Sequence, residues 1–95
     1  MIRYKVRPDA VARNLELVRA VHDELAARRP AGVRYASYQL ADEVSFVDMV
    51  WTESGPGPLM QLASWEPFRA TLADRCDEPP SLVEVTELGA YGNAR

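Results

Sequence analysis

Three features of the chain predict an α+β domain built as one four-stranded antiparallel sheet with two helices on one face. The first strand-like stretch alternates strictly, a twenty-residue segment then switches to helical period, and two adjacent runs near the middle pair naturally as a hairpin. With 95 residues, residues 1–95 form a single domain, since a second core would leave each half below a comfortable size.

Ile2, Tyr4 and Val6 alternate with Arg3, Lys5 and Arg7, the period of a strand with one buried face. Pro8 closes that strand, and Asp9 is placed to cap a helix. Ala10 to Arg29 follows at about 100° per residue, with Val11, Leu15, Val18, Val21 and Leu25 on one broad face. The i,i+4 pairs Asp9/Arg13, Arg19/Asp23 and Glu24/Arg28 contribute only about 0.2–0.5 kcal/mol each, so packing must hold this helix. Pro30 and Gly32 stop it.

Val33 to Leu40 and Val44 to Thr52 form the hairpin, joined by a polar turn at Ala41, Asp42 and Glu43. Parity puts Val44, Phe46, Asp48 and Val50 on one face and Ser45, Val47, Met49 and Trp51 on the other, so both faces are largely apolar. In the preceding strand Val33, Tyr35 and Ser37 oppose Arg34, Ala36, Tyr38 and Leu40. Glu53 to Pro58 is a turn-rich connection without a phosphate-loop pattern. Leu59 to Ala63 gives a helical turn, Ser64 caps a second helix running to Arg75, and Pro67 is tolerated within its first turn. Asp77 to Pro80 breaks it. Ser81 to Leu88 supplies the last strand.

The order β-α-β-β-α-β is the ferredoxin-like arrangement. Two helices cover one face of such a sheet, and the apolar side chains on the other face need a second cover. A second copy with two-fold symmetry provides it, so a homodimer is expected.

A net charge of -3 with 11 dispersed basic residues gives no footprint for nucleic acid. No run approaches the roughly 20 apolar residues of a membrane span, and Met1-Ile2-Arg3-Tyr4-Lys5 lacks the long apolar run of a signal peptide. Cys76 is the single cysteine, which excludes an intrachain disulfide and suits a reducing compartment, so a cytoplasmic location is expected. One histidine and no carboxylate cluster at ligand spacing indicate neither a triad nor a zinc site.

The residues with chemistry to offer are few. His22, the single histidine, is phased toward the sheet, where an imidazole acts either as general base or as a core histidine satisfied by a tyrosine hydroxyl or backbone carbonyl. Tyr35 and Tyr38 fall on opposite faces, so at most one lines a helix-side cleft; a tyrosine donates to a phenolate or quinone oxygen or simply packs. Trp51, Trp65 and Phe68 offer aromatic walls for a planar ligand, or core anchors. Asp48 interrupts an apolar face and needs Arg, Tyr or backbone partners; Arg34, across the hairpin, is a candidate partner. Cys76, near a helix C-terminus and followed by Asp77 and Glu78, reads as packing.

Nearly the whole chain contributes to a resemblance: Ile2-Arg3-Tyr4-Lys5-Val6, the long first helix, Gly32-Val33-Arg34-Tyr35-Ala36-Ser37-Tyr38, Val44-Ser45-Phe46-Val47, Leu59 to Phe68 and Val83-Glu84-Val85-Thr86. In layout and length it resembles the antibiotic-biosynthesis-monooxygenase superfamily of dimeric α+β barrels. The resemblance implies a barrel formed by two sheets, a ligand cleft between the helices and sheet of each subunit, and Trp65 at a cleft edge. It also implies a cofactor-independent monooxygenase acting on a small aromatic or quinol-like compound, with no cofactor or metal. On that reading His22 and Tyr38 are the catalytic candidates, and Tyr35, Trp51, Trp65 and Phe68 bind substrate. The alternative is a noncatalytic small-ligand-binding or structural homodimer. Two departures stand out. The second-helix segment lacks the histidine that often precedes the positions of Trp65 to Phe68, and the first strand lacks the asparagine of haem-degrading members.

Overall fold

The computed structural model describes residues 1–53, 55 and 57–92. Strand β1 (Ile2–Lys5) is followed by a short 3-10 turn (Pro8–Ala10) and helix α1 (Val11–Arg28). Strands β2 (Val33–Gln39) and β3 (Ser45–Thr52) come next, then three short helices, α2 (Gly57–Met60), α3 (Trp65–Ala70) and α4 (Leu72–Arg75), and finally β4 (Ser81–Leu82). The sheet order is β2-β3-β1-β4 with every pair antiparallel. Each helical connection therefore skips one strand, the ferredoxin-like topology expected. No helix among the described residues is long and apolar enough to cross a membrane.

Register follows from side-chain parity. Tyr4 pairs with Phe46 and Ile2 with Asp48, while Tyr35 pairs with Val50 and Ser37 with Asp48. Facing residues share a sheet face, so Ile2, Tyr4, Phe46, Asp48, Val50, Tyr35 and Ser37 all lie under the helices. The core beneath α1 and α3 is Ile2, Tyr4, Val6, Leu17, Val21, Phe46, Phe68 and Leu72, with Leu59 and Leu62 closing one end. At the hairpin turn the Asp42 carboxylate accepts the amides of Val44 and Ser45 and the Ser45 hydroxyl, satisfying donors the ladder has not yet reached.

Four expectations are corrected. Asp9 does not cap α1: Pro8 starts a 3-10 turn that feeds directly into the helix, whose N-cap is Ala10 with no side-chain bond. The buried stripe of α1 is Asn14, Leu17 and Val21, and Leu15, about 100° further round, is 36% exposed. The second long helix is interrupted at Thr71. There the Thr71 hydroxyl donates to the Pro67 carbonyl at 2.6 Å while its amide turns to the Arg69 carbonyl, so the side chain takes the acceptor that would continue the helix. The last strand stops at Leu82 rather than Leu88. Antiparallel pairing runs β1 backwards toward its start, and the final exchange is between Val83 and Met1, each donating its backbone nitrogen to the other's carbonyl. The paired stretch covers only Ile2 with Leu82 and Arg3 with Ser81, and Val83, Val85 and Leu88 remain exposed.

Two polar devices fasten α1 to its neighbours. Arg75, only 5% exposed, donates to Asn14 Oδ1, the Thr71 hydroxyl and the Phe68 carbonyl. Asn14 in turn donates to the Tyr4 hydroxyl at 3.1 Å. This chain joins α4, α1 and β1 through groups that would be costly to bury unpaired. The second device is Glu24, whose carboxylate accepts the Ala63 and Ser64 amides and the Ser64 hydroxyl and pairs with Arg28 at 3.0 Å. These bonds, those from Ser64 foremost, hold its pKa down to about 2. Because the folded value lies below the ordinary 4.5, the stabilisation is complete above that ordinary value and is lost as pH falls toward about 2. Urea midpoints of Glu24→Gln should therefore lie below wild type near neutrality and converge with it across that acid window.

Candidate active site

The helix-side face of the hairpin carries a carboxylate in an apolar setting. Asp48 is fully buried, flanked along β3 by Phe46 and Val50. Its Oδ2 accepts the Tyr35 hydroxyl at 3.0 Å, while its Oδ1 has no hydrogen-bond partner among the described residues. Ser37 is directly opposite on β2. Burial pushes the Asp48 pKa up from the ordinary carboxylate range; the Ser37 and Tyr35 hydroxyls and the His22 imidazole pull the other way. The tyrosine partner matches expectation, but Arg34 does not reach Asp48. Its odd parity relative to Tyr35 puts it on the opposite face, over the Trp51 ring at 4.3 Å and paired with Glu87 at 2.7 Å.

His22 projects from α1 onto this cluster. Its Nε2 is 2.8 Å from Ser37 Oγ, and its ring stacks on Tyr35 with centroids 4.9 Å apart and planes 15° from parallel. The edge-on contact of Tyr35 with Trp65, at 6.0 Å and 74°, extends the aromatic group to α3. Burial, then the neighbouring Asp48 charge, pushes the Tyr35 phenol far up, so it remains a donor. A cavity of about 320 Å³ opens beside the imidazole, lined by His22, Leu25, Ala26, Arg29, Pro30, Val33 and Tyr35. Arg29 is held there by its own backbone: it caps α1 with φ 48°, a left-handed conformation in which its amide still reaches the Leu25 carbonyl.

The sequence candidates thus separate into two groups. His22, Tyr35 and Trp65 come together. Phe68 joins them only from behind, fully buried with its ring against Trp65 and Tyr4. Tyr38 and Trp51 lie on the other face of the sheet, Tyr38 57% exposed, and Trp51 borders a separate concavity of about 420 Å³ at the open end of the hairpin. That concavity is larger, but the single imidazole and the tyrosine bonded to the buried carboxyl line the other, so the His22 cavity is the stronger candidate. Cys76 is half-buried where it bridges to Val6; burial raises its thiol pKa, in keeping with a packing role. Sequence reading passed over Ser37, Arg29, Asn14 and Arg75. Only Asn14 had left a usable signal: a polar residue seven positions before Val21 shares the buried helical face.

No family model matches the sequence, and curated proteins give no significant match. Solved structures do match in shape. A "putative antibiotic biosynthesis monooxygenase" of Nitrosomonas europaea superposes with a TM-score of 0.73 at 24% identity over 93% of this chain and 95% of that one. Rv0793 of Mycobacterium tuberculosis gives 0.68 at 22% identity over 93% and 94%. A conserved protein of Methanosarcina mazei Go1 gives 0.66 at 17% over 84% and 81%. At these identities the likeness establishes a shared fold.

The raised Asp48 pKa has a sign for stability. Ionisation of this carboxyl is harder in the folded chain, so wild type should lose stability as pH rises above the ordinary value of 3.8. Asp48→Asn, which keeps the shape without the charge, is expected to show the higher melting temperature near neutrality. The difference should vanish in acid, where the wild-type carboxyl is protonated.

Proposed function

We propose that this protein is a cofactor-independent monooxygenase of a small aromatic or quinol-like compound, working as a cytoplasmic homodimer. The observation that carries the reading is the placement of the single imidazole: His22 borders a cavity of about 320 Å³, is stacked on Tyr35, and is backed by a buried carboxyl. A planar phenol or quinol entering beside Leu25 and Val33 presents its hydroxyl to His22. Proton transfer to the imidazole leaves an electron-rich anion, and the apolar walls keep water from quenching it. Arg29 at the cavity wall favours that anion by charge. The substrate anion itself then supplies the electrons to dioxygen: one oxygen atom bonds to the ring carbon being oxidised, and the other leaves as water with the two hydrogens the substrate loses. The fold shared with the Nitrosomonas europaea protein supports this class of reaction by analogy.

Dimer formation is supported by the sheet face away from the helices. Ala36, Tyr38, Val47, Met49 and Trp51 project there by register, beyond the reach of any helix of this chain. Trp51 and Tyr38 thereby fall at the subunit junction rather than in the cavity.

Oxygen-electrode measurements on metal-free protein with a panel of anthrones and hydroquinones should show substrate-dependent uptake. His22→Gln should slow it by about 100-fold or more, the usual share of a general base; absence of uptake across the panel contradicts the reading. Sedimentation at low micromolar concentration should give a dimer, and a stable lone subunit would count against the assembly.

A further inference from the structure

The unpartnered oxygen of Asp48 and the His22–Ser37 contact belong to one proton path. Ser37 has a single hydroxyl hydrogen and two groups toward which it can turn: His22 Nε2, at 2.8 Å, and the carboxyl directly across the strand pair, which its hydroxyl influences although Oδ1 is unbonded here. If Nε2 is bare, Ser37 donates to it and Asp48 Oδ1 is left without a donor. If Nε2 carries hydrogen, it donates to Ser37 Oγ and releases the Ser37 hydrogen to Oδ1. Only the second arrangement leaves the Ser37 hydrogen free to turn toward Oδ1, which makes no bond as it stands, and that matters because an orphaned carboxylate oxygen at full burial is costly.

We propose that Asp48 and Ser37 are positioning residues that keep the His22 hydrogen on Nε2 and leave Nδ1 bare as the proton acceptor of the cavity, with Asp48 receiving the relayed proton. The ring nitrogen Nδ1 has no partner among the described residues, and the ring that carries it lines the cavity. In the transfer, the substrate hydroxyl gives its proton to Nδ1, Nε2 gives its hydrogen to Ser37 Oγ, and Ser37 gives its own to Asp48 Oδ1. The balance is one proton moved from substrate to Asp48 and one negative charge moved the other way. The imidazole ends neutral as the opposite tautomer, and no cation is left beside the apolar wall. The charged and titratable groups facing Asp48 are Tyr35 from β2, His22 from α1, Tyr4 from β1 and the N-terminal ammonium of Met1. None competes for Oδ1, since the Tyr35 hydroxyl occupies Oδ2. This role rests on the reading of the cavity as a site for an acidic aromatic, but the tautomer is a property of the free protein and is tested there.

Long-range proton–nitrogen correlation spectra of the nitrogen-labelled chain report the tautomer without ambiguity, because the chain holds one histidine. Wild type, at a pH where the imidazole is neutral and the Asp48 carboxyl is ionised, is expected to show the Nε2–H form. In Asp48→Asn the Tyr35 hydroxyl should hold the amide oxygen, turning the amide NH2 toward Ser37. Ser37 must then donate to Nε2, and the tautomer flips to Nδ1–H. Oxygen uptake should fall about 100-fold with it. Ser37→Thr should keep the wild-type tautomer, whereas Ser37→Ala should release it to a mixture. This pair decides the matter should Asp48→Asn not fold. An unchanged Nε2–H form in folded Asp48→Asn, or in Ser37→Ala, overturns the relay whether or not oxygen is consumed. A flipped tautomer in a protein that consumes no oxygen supports the relay and overturns the oxygenase reading instead.

Discussion

A carboxylate buried on the apolar face of a sheet constrains everything around it. Asp48 is stable there only if donors converge on it, and the donors available are a tyrosine and a serine from β2 and, through the serine, an imidazole from α1. That requirement ties the register of the hairpin to the rotation of the helix. A slip of one residue between β2 and β3 would turn Tyr35 and Ser37 to the far face. It would strand the carboxyl among Phe46 and Val50. The energetic liability and the chemical asset are therefore the same group: burial makes the carboxyl readier to accept a proton, at a cost to stability that natural active sites commonly bear.

The rest of the core is organised to hold that arrangement. The Arg75–Asn14–Tyr4 chain fixes α1 against β1 from one end, while Glu24 fastens α1 to the start of α3 from the other. Between these two anchors lies His22. Tyr4 and Phe46, stacked at 5.3 Å, and Phe68 fill the space beneath α1 and α3, so Trp65 packs against Tyr35 and not into the core centre. The uncovered face has a different composition, with Arg3, Lys5 and Arg34 among apolar residues, and contributes nothing to this cluster.

Much of this layout was legible from periodicity, since strand parity and helical phase are geometric. The hairpin limits, the stop at Pro30 and Gly32, and the opposition of Tyr35 to Tyr38 emerged almost unchanged. What the sequence concealed depended on pairing across the chain. Val83 and Val85 look like strand residues and extend the expected last strand, yet β1 begins at Ile2 and offers no further partner. Charge alone pairs Arg34 with Asp48, whereas the register aligns Ser37 with it. Ser37 carries no signal by itself: a serine in a strand is ordinary until an imidazole and a carboxyl are found on either side. Arg75 was hidden for a similar reason, as a charged residue near a helix end reads as solvated until Thr71 interrupts the helix and turns it inward.

The protonation of Asp48 is the property on which site and relay both depend. Difference infrared spectra of wild type against Asp48→Asn, followed through pH, isolate the C=O stretch of this one carboxyl. A protonated band that persists above the ordinary value of 3.8 and fades only at higher pH is the predicted result. A carboxyl that ionises at or below that value would mean solvent or an unforeseen cation reaches it, and would contradict the account of the buried site.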